Sequence, residues 1–287
     1  MKIRGAQLVV RALEDEGVRF TFGIPGTHNI ELYDALECSD RIEPVLVTDE
    51  QSASFMADGL ARSSGEVGVV NVVPGAGVTH CLSGVAEAFM DNVPMVVIAC
   101  GVRRDTGAAY QLHDIDQLAV LGPVTKAVER VERGEQIYPL VRRAFQQARQ
   151  GVPGPVAIEI PAELLLLVQD LDGHPSFTPE PTPHLDPDPD LVELAAEILG
   201  SAEHPALYLG AGAAGAGAEL VALAEQLAAP VTTTIQGRAC SRRITRCGCG
   251  TASAPTDRRS WAGSWTAAMS CWPSAVASGR WPPAATA

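Results

Sequence analysis

The stretch Val67-Gly68-Val69-Val70-Asn71-Val72-Val73, followed by Pro74-Gly75-Ala76-Gly77-Val78-Thr79-His80, decides the fold. Its first half is nearly all apolar and short, as expected of a strand buried on both faces of a parallel sheet. The second half is a Gly-rich turn that opens a helix over 78–90. Working outward, the same alternation repeats. Strands are expected over 18–22, 44–47, 94–100 and 155–160, and helices over 30–36, 50–62 and 135–150. The first strand ends at the turn Gly23-Ile24-Pro25-Gly26, and the last helix ends at Gly151, a good C-cap residue. Strands alternating with helices imply an α/β fold, a parallel sheet in three layers.

After 168 the texture changes. Prolines 175, 179, 181, 183, 187 and 189 mark a semi-extended linker over 169–189. A second, partial Rossmann-like α/β unit follows over 190–238, with helices at 191–199 and 216–227 and strands at 206–209 and 231–235. Asp190 is expected to cap its first helix.

Composition narrows the function. The 287 residues carry 21 basic and 34 acidic side chains, a net charge of −13. An acidic chain is a poor general binder of nucleic acid or anionic membrane. No apolar run approaches the roughly 18 residues of a membrane span. Leu8-Val9-Val10 is cut by Arg11, so no signal peptide is read. Seven cysteines, an odd number, fit a reducing cytoplasm.

Several segments could carry chemistry, each with a plain alternative. Glu50 follows the strand at 44–47, where α/β sheets bind ligands, although acids are also common in first turns of helices. The turn at 74–80 lets a ligand approach backbone amides; His80 alone reads equally as a polar residue at a helix start. His113 beside Asp114 suggests acid/base work, but neighbours in sequence need not face one another. Gly210-Ala-Gly212-Ala-Ala-Gly215 has the form of a dinucleotide fingerprint. No acid ends the strand at 231–235, so a nicotinamide-dependent dehydrogenase has little support, and a structural turn is the simpler reading. The cysteines offer no metal spacing, Cys247-Gly-Cys249 being too close, so no metal ligand is expected in this chain.

Taken in order, these pieces resemble the N-terminal pyrimidine-binding domain of thiamine-diphosphate enzymes of the acetolactate synthase type. The resemblance spans essentially 1–168. It runs through Gly23-Ile-Pro-Gly26, Leu32-Tyr-Asp-Ala-Leu36, Asp49-Glu50-Gln51 with Ala57-Asp-Gly-Leu-Ala-Arg62, Gly75-Ala-Gly-Val-Thr79 and Ala88-Phe-Met-Asp-Asn-Val-Pro94. It continues through Gln111, Pro123-Val-Thr-Lys126 and Gly154-Pro155-Val156 to Ile160-Pro161. Residues 190–238 resemble the start of the family's central domain, including Gln236-Gly237.

The resemblance implies roles. Glu50 would bind N1′ of the cofactor's aminopyrimidine and favour the tautomer that deprotonates the thiazolium. Gln111 would lie near the reacting carbon of a pyruvate-like 2-oxo acid. Pro25, Gly26, Ala76 and His80 would line the cofactor. Such a glutamate needs a poorly hydrated site, and Val45, Val47, Phe55 and Met56 are read as its apolar wall. Three positions depart from the family: Asp49 where His is common, Ala76 for Pro, and His80 for Asn. The central domain of the synthases can bind FAD, for which the 210–215 turn is the place to look. The family's chemistry is decarboxylation or condensation of 2-oxo acids, in branched-chain amino-acid biosynthesis or a related pathway. Its active site forms between subunits, so a homodimer or tetramer is expected.

The family holds diphosphate and Mg²⁺ through Gly-Asp-Gly, and no Gly-Asp-Gly occurs in the 287 residues. The chain is therefore expected to be inactive alone. The alternative is a non-catalytic remnant, or a pyrimidine-domain subunit that acts only with a partner supplying the diphosphate domain.

Residues 239–287 read as foreign to the rest. They hold all four tryptophans and four of the seven cysteines, with no Leu, Phe or Tyr. Six arginines against one acid give them +5, leaving −18 on the first 238 residues. One permitted choice of GC-rich codons for 239–250, read one base earlier, gives family-like text; the alternative is a natural lineage-specific tail. This segment is expected to be a frame-shifted, disordered tail.

Overall fold

The computed structural model describes residues 1–107, 112–181 and 186–237. The segment 239–287 and Gln111 lie outside the described residues. The chain divides into two units, Met1–Pro183 and His184–Ala287.

The first unit is organised on six parallel strands: β2 (Phe20–Gly23), β3 (Glu43–Leu46), β4 (Gly68–Val72), β5 (Met95–Gly101), β6 (Ala127–Arg130) and β7 (Pro155–Pro161). Their order across the sheet is β3-β2-β4-β5-β7-β6. Side-chain alternation divides the apolar strands between two cores. Val96, Ile98 and Cys100 of β5 join Val156, Ile158 and Ile160 of β7 on one face. There they meet α1 (Gly5–Asp15), α2 (Ile30–Glu37) and α6 (Ile137–Arg149) through Leu8, Leu13, Leu32, Leu36, Val141 and Phe145. Met95, Val97 and Ala99 point the other way, with Val70 and Val72 of β4. That face is covered by α3 (Glu50–Ser64), α4 (Ala76–Met90) and α5 (Gln117–Leu121).

The three-layer parallel architecture is as the alternation of apolar runs implied. Two elements eluded that pattern. Helix α1 buries Ala6, Leu8, Val9, Val10, Ala12 and Leu13, with charged residues on its other side. Strand β6 lies at the sheet edge, its side chains partly exposed. A short ribbon pairs β1 (Lys2–Arg4) with β8 (Val168–Asp170). Residues 169 and 170, read as linker, thus belong to a strand, and Phe177 packs beside the Arg142 guanidinium, 5.6 Å from its ring centre.

Local chemistry fixes the helices that carry the site. Asp49 caps α3, accepting a hydrogen bond from the Gln51 amide at 3.3 Å, and Gly65 ends it in the left-handed region at φ 78°. Small residues let α3 and α4 approach: a Cβ on Gly84 would come 2.4 Å from Ser54 Oγ. Arg62 then ties the pair, donating to Asp58 of α3 and to Asp91 just past α4, each at 2.7 Å.

In the second unit, α8 (Pro189–Ser201) is capped by Asp188, not Asp190. The Asp188 carboxylate accepts from the Asp190 amide, and Pro189 takes the first helical position, where no amide donor is needed. Parallel strands β9 (Leu207–Leu209) and β10 (Val231–Thr233) are joined through α9 (Gly217–Leu227). A small core of Leu209, Ala224 and Val231 holds this βαβ unit together. No helix among the described residues is long and apolar enough to cross a membrane.

Candidate cofactor site

The sheet order locates the site before any side chain is considered. From β2 the chain goes to β3 on one side, then crosses back to β4 on the other. The carboxyl ends of β2 and β4 therefore flank a crevice, which is where open α/β sheets bind ligands. Three loops converge there, following β2, β3 and β4.

Val73 is the joint between them. A Cβ on Gly26, in the first loop, would meet Val73 Cγ1 at 2.8 Å. One on Gly77, in the first turn of α4, would meet Val73 Cγ2 at 2.8 Å and Glu50 Oε1 at 3.3 Å. Glycine at 26 and 77 is what lets the loops close on one another. Asn29, fully buried, stiffens the first loop: it accepts from the Gly26 amide at 2.6 Å and donates to the Ile24 carbonyl at 3.1 Å.

Glu50 opens α3, and its side chain is 13% exposed. His80, one turn into α4, places Nδ1 3.5 Å from Glu50 Oε2 and 3.8 Å from Asp49 Oδ1. Ala76 is exposed at the first position of α4, after Gly75, whose φ of 63° suits glycine. Pro25 is exposed in the β2 loop. The structure places Gly26, Glu50, Ala76 and His80 in the loops and helix starts at one end of the sheet, with Pro25 in the same loop as Gly26.

The expected wall around Glu50 is different. Phe55 and Met56 are 42% and 43% exposed. They lie on the outer side of α3, because successive turns from Glu50 direct Ala53 and Ala57 inward. Val45 and Val47 pack partly buried against the core beneath α3. Glu50 instead lies close to Gly77, where an added Cβ would come 3.3 Å from Oε1, and spacing along the sequence carries no sign of that approach.

Two histidines lie beside the turn after β4. His113 has φ 68° and sets Nδ1 3.1 Å from the Pro74 carbonyl oxygen. Its ring lies 5.8 Å from that of His28, which is buried. Burial and the neighbouring His113 hold the His28 pKa below its ordinary value. His113 thus supports the turn after β4, and nothing pairs it with Asp114.

A largely buried carboxylate with glycine close beside it is chemically suited to a ring nitrogen that shares a proton with a carboxyl group. Residues 3–120 match the family described as thiamine pyrophosphate enzyme, N-terminal TPP binding domain, and residues 192–253 match its central domain. The chain belongs to the thiamine pyrophosphate enzymes.

Among its relatives, the acetolactate synthase isozyme 3 large subunit of Escherichia coli is 36% identical over 244 residues, 82% of this chain and 42% of that protein. A probable acetolactate synthase large subunit of Methanocaldococcus jannaschii is 34% identical, over 83% of this chain and 41% of its own length. A probable 2-ketoarginine decarboxylase of Pseudomonas aeruginosa is 36% identical, over 82% and 42%. The chain spans about two fifths of the length of these relatives. The N-terminal TPP-domain match contains every residue of the candidate site. The central-domain match covers the βαβ unit with its 210–215 turn. Added Cβ atoms on Gly210, Gly212 and Gly215 would meet nothing within 4 Å, so packing does not demand glycine there.

Proposed function

We propose that Met1–Pro183 supplies the pyrimidine-binding half of a thiamine diphosphate site of the acetolactate synthase type, acting on pyruvate-like 2-oxo acids. The observation that carries this reading is the Glu50 carboxylate, 13% exposed at the switch point of the sheet, with Gly77 close against it. Thiamine diphosphate, when bound, supplies the electron sink for decarboxylating a 2-oxo acid and condensing the product. Glu50 holds the proton at N1′ of the aminopyrimidine. Gly26 and Gly77 leave room for the ring, and Gln111 is assigned to the substrate side.

The 287 residues contain no Gly-Asp-Gly. The diphosphate and its Mg²⁺ therefore need a further domain, in continuing chain or in a partner. Homodimeric or tetrameric assembly belongs to this reading, as does FAD at the turn Gly210–Gly215, which packing leaves open. A second reading, favoured by that missing motif, is a pyrimidine-domain subunit without turnover of its own.

The test is pyruvate consumption by the purified chain with thiamine diphosphate and Mg²⁺, alone and with a separately expressed diphosphate-binding domain of a relative. Turnover only in the mixture, abolished by Glu50→Gln, supports the proposal. Turnover by the chain alone contradicts the half-site, and turnover that survives Glu50→Gln contradicts the role of Glu50.

A further inference from the structure

Among the described residues, Asp49, Glu50 and His80 form one group of three metal-ligating side chains whose donor atoms all lie within 4.8 Å of one another. Zinc-class ions hold nitrogen and oxygen ligands at about 2.0–2.2 Å, which sets tetrahedral ligands about 3.3–3.6 Å apart. The 3.5 Å from His80 Nδ1 to Glu50 Oε2 falls in that range, and the 3.8 Å to Asp49 Oδ1 needs only a few tenths of an ångström of closure.

The ligands come from two helix starts held in register. Asp49 and Glu50 are fixed by the cap of α3, and His80 by the first turns of α4. Close packing at Gly84 and the bridge through Arg62 lock the two helices together. His80 is 63% exposed, so an ion from solvent can reach it. Both carboxylates sit side by side, and His80 is their one basic partner among the described residues. A cation would offset the repulsion between the two neighbouring carboxylates. One imidazole with two carboxylates suits zinc, cobalt or manganese better than calcium or magnesium.

We propose that Asp49, Glu50 and His80 bind a divalent transition-metal ion, with water completing its coordination. Because Glu50 is shared, the ion and the aminopyrimidine exclude one another; this second clause rests on the function proposed above. The chain then carries a metal-sensitive block on its own cofactor site.

The test uses cobalt(II) and the full chain, with no thiamine compound present. Visible cobalt absorption and calorimetry should show a binding equivalent that weakens at least about tenfold in His80→Asn and in Asp49→Asn. Exposed His174 serves as the control, and His174→Asn should bind as the unaltered chain does. Thermal melts of each variant guard against misfolding, and exposed His80 is a safe position to change. Unchanged cobalt affinity in His80→Asn overturns the site, as does absorption dominated by thiolate charge transfer that the variant retains. Thiamine without its diphosphate is then added, since it cannot chelate cobalt through phosphate. A fall in cobalt affinity supports competition at Glu50. Unchanged affinity overturns the competition and leaves the metal site standing.

Discussion

Gly77 stands against Glu50: a single carbon added at residue 77 would lie 3.3 Å from Glu50 Oε1 and 2.8 Å from Val73 Cγ2. The helix itself would welcome alanine, by about 0.5–1 kcal/mol. Overpacking costs about 1–3 kcal/mol and outweighs that gain. Gly77→Ala is therefore expected to lose about 1 kcal/mol in urea denaturation. It should also weaken thiamine binding at least about tenfold, since the added methyl fills the space that the ring requires.

The turn after β4 is a second sensitive point. Gly75 has φ 63°, and its Cβ would come 2.7 Å from the His113 carbonyl oxygen. Strain and collision act together, so Gly75→Ala should destabilise by about 1–3 kcal/mol in thermal or urea melts. Ala76→Pro, one residue on, should be neutral or slightly stabilising, because proline suits the first position of a helix.

Arg62 joins α3 to the end of α4. Asp58, whose side chain is only 9% exposed, relies on it as a partner. Arg62→Ala leaves that carboxylate buried beside no cation and should cost about 1–3 kcal/mol. Urea midpoints of the variant and the unaltered chain give the measurement.

The Cys81 thiol lies under α4, fully buried. Burial, helped by the nearby Glu50 charge, pushes its pKa from 9.0 up to about 12. As pH rises above 9, the unfolded chain loses this proton while the folded chain keeps it. Folding stability contributed by Cys81 is thus present below pH 9 and is lost between about 9 and 12. Denaturation at pH 8 and pH 10 should show a fall that is smaller in Cys81→Ala. Alkylation followed by mass spectrometry at pH 8 should label exposed Cys38 and spare Cys81 and Cys100.

Much of this was legible in the sequence because the relevant signals are local. The apolar runs of β4 and β5 carry no polar face, which only a sheet covered on both sides accommodates. Glu50 and the 74–80 turn stand at strand ends, so their placement followed from the alternation alone. What escaped depends on contacts between distant segments. Gly77 comes up against Glu50 only because α4 packs on α3, a fact of topology and not of spacing. Phe55 and Met56 are apolar yet face outward, since the inner side of α3 is taken by Ala53 and Ala57. Asp49 and His80 are thirty-one positions apart, and only the packing of α3 on α4 brings their side chains together. Edge strand β6 lacks the apolar run by which buried strands announce themselves.

The central claim is that the aminopyrimidine half of thiamine diphosphate binds at Glu50. The most direct measurement is a titration of the isotope-labelled chain with thiamine, followed by amide resonances of Gly26, Gly75, Gly77 and Glu50. The account predicts saturable shifts confined to these loops and abolished in Glu50→Gln. Shifts that persist undiminished in Glu50→Gln, or that cluster elsewhere on the sheet, would contradict it.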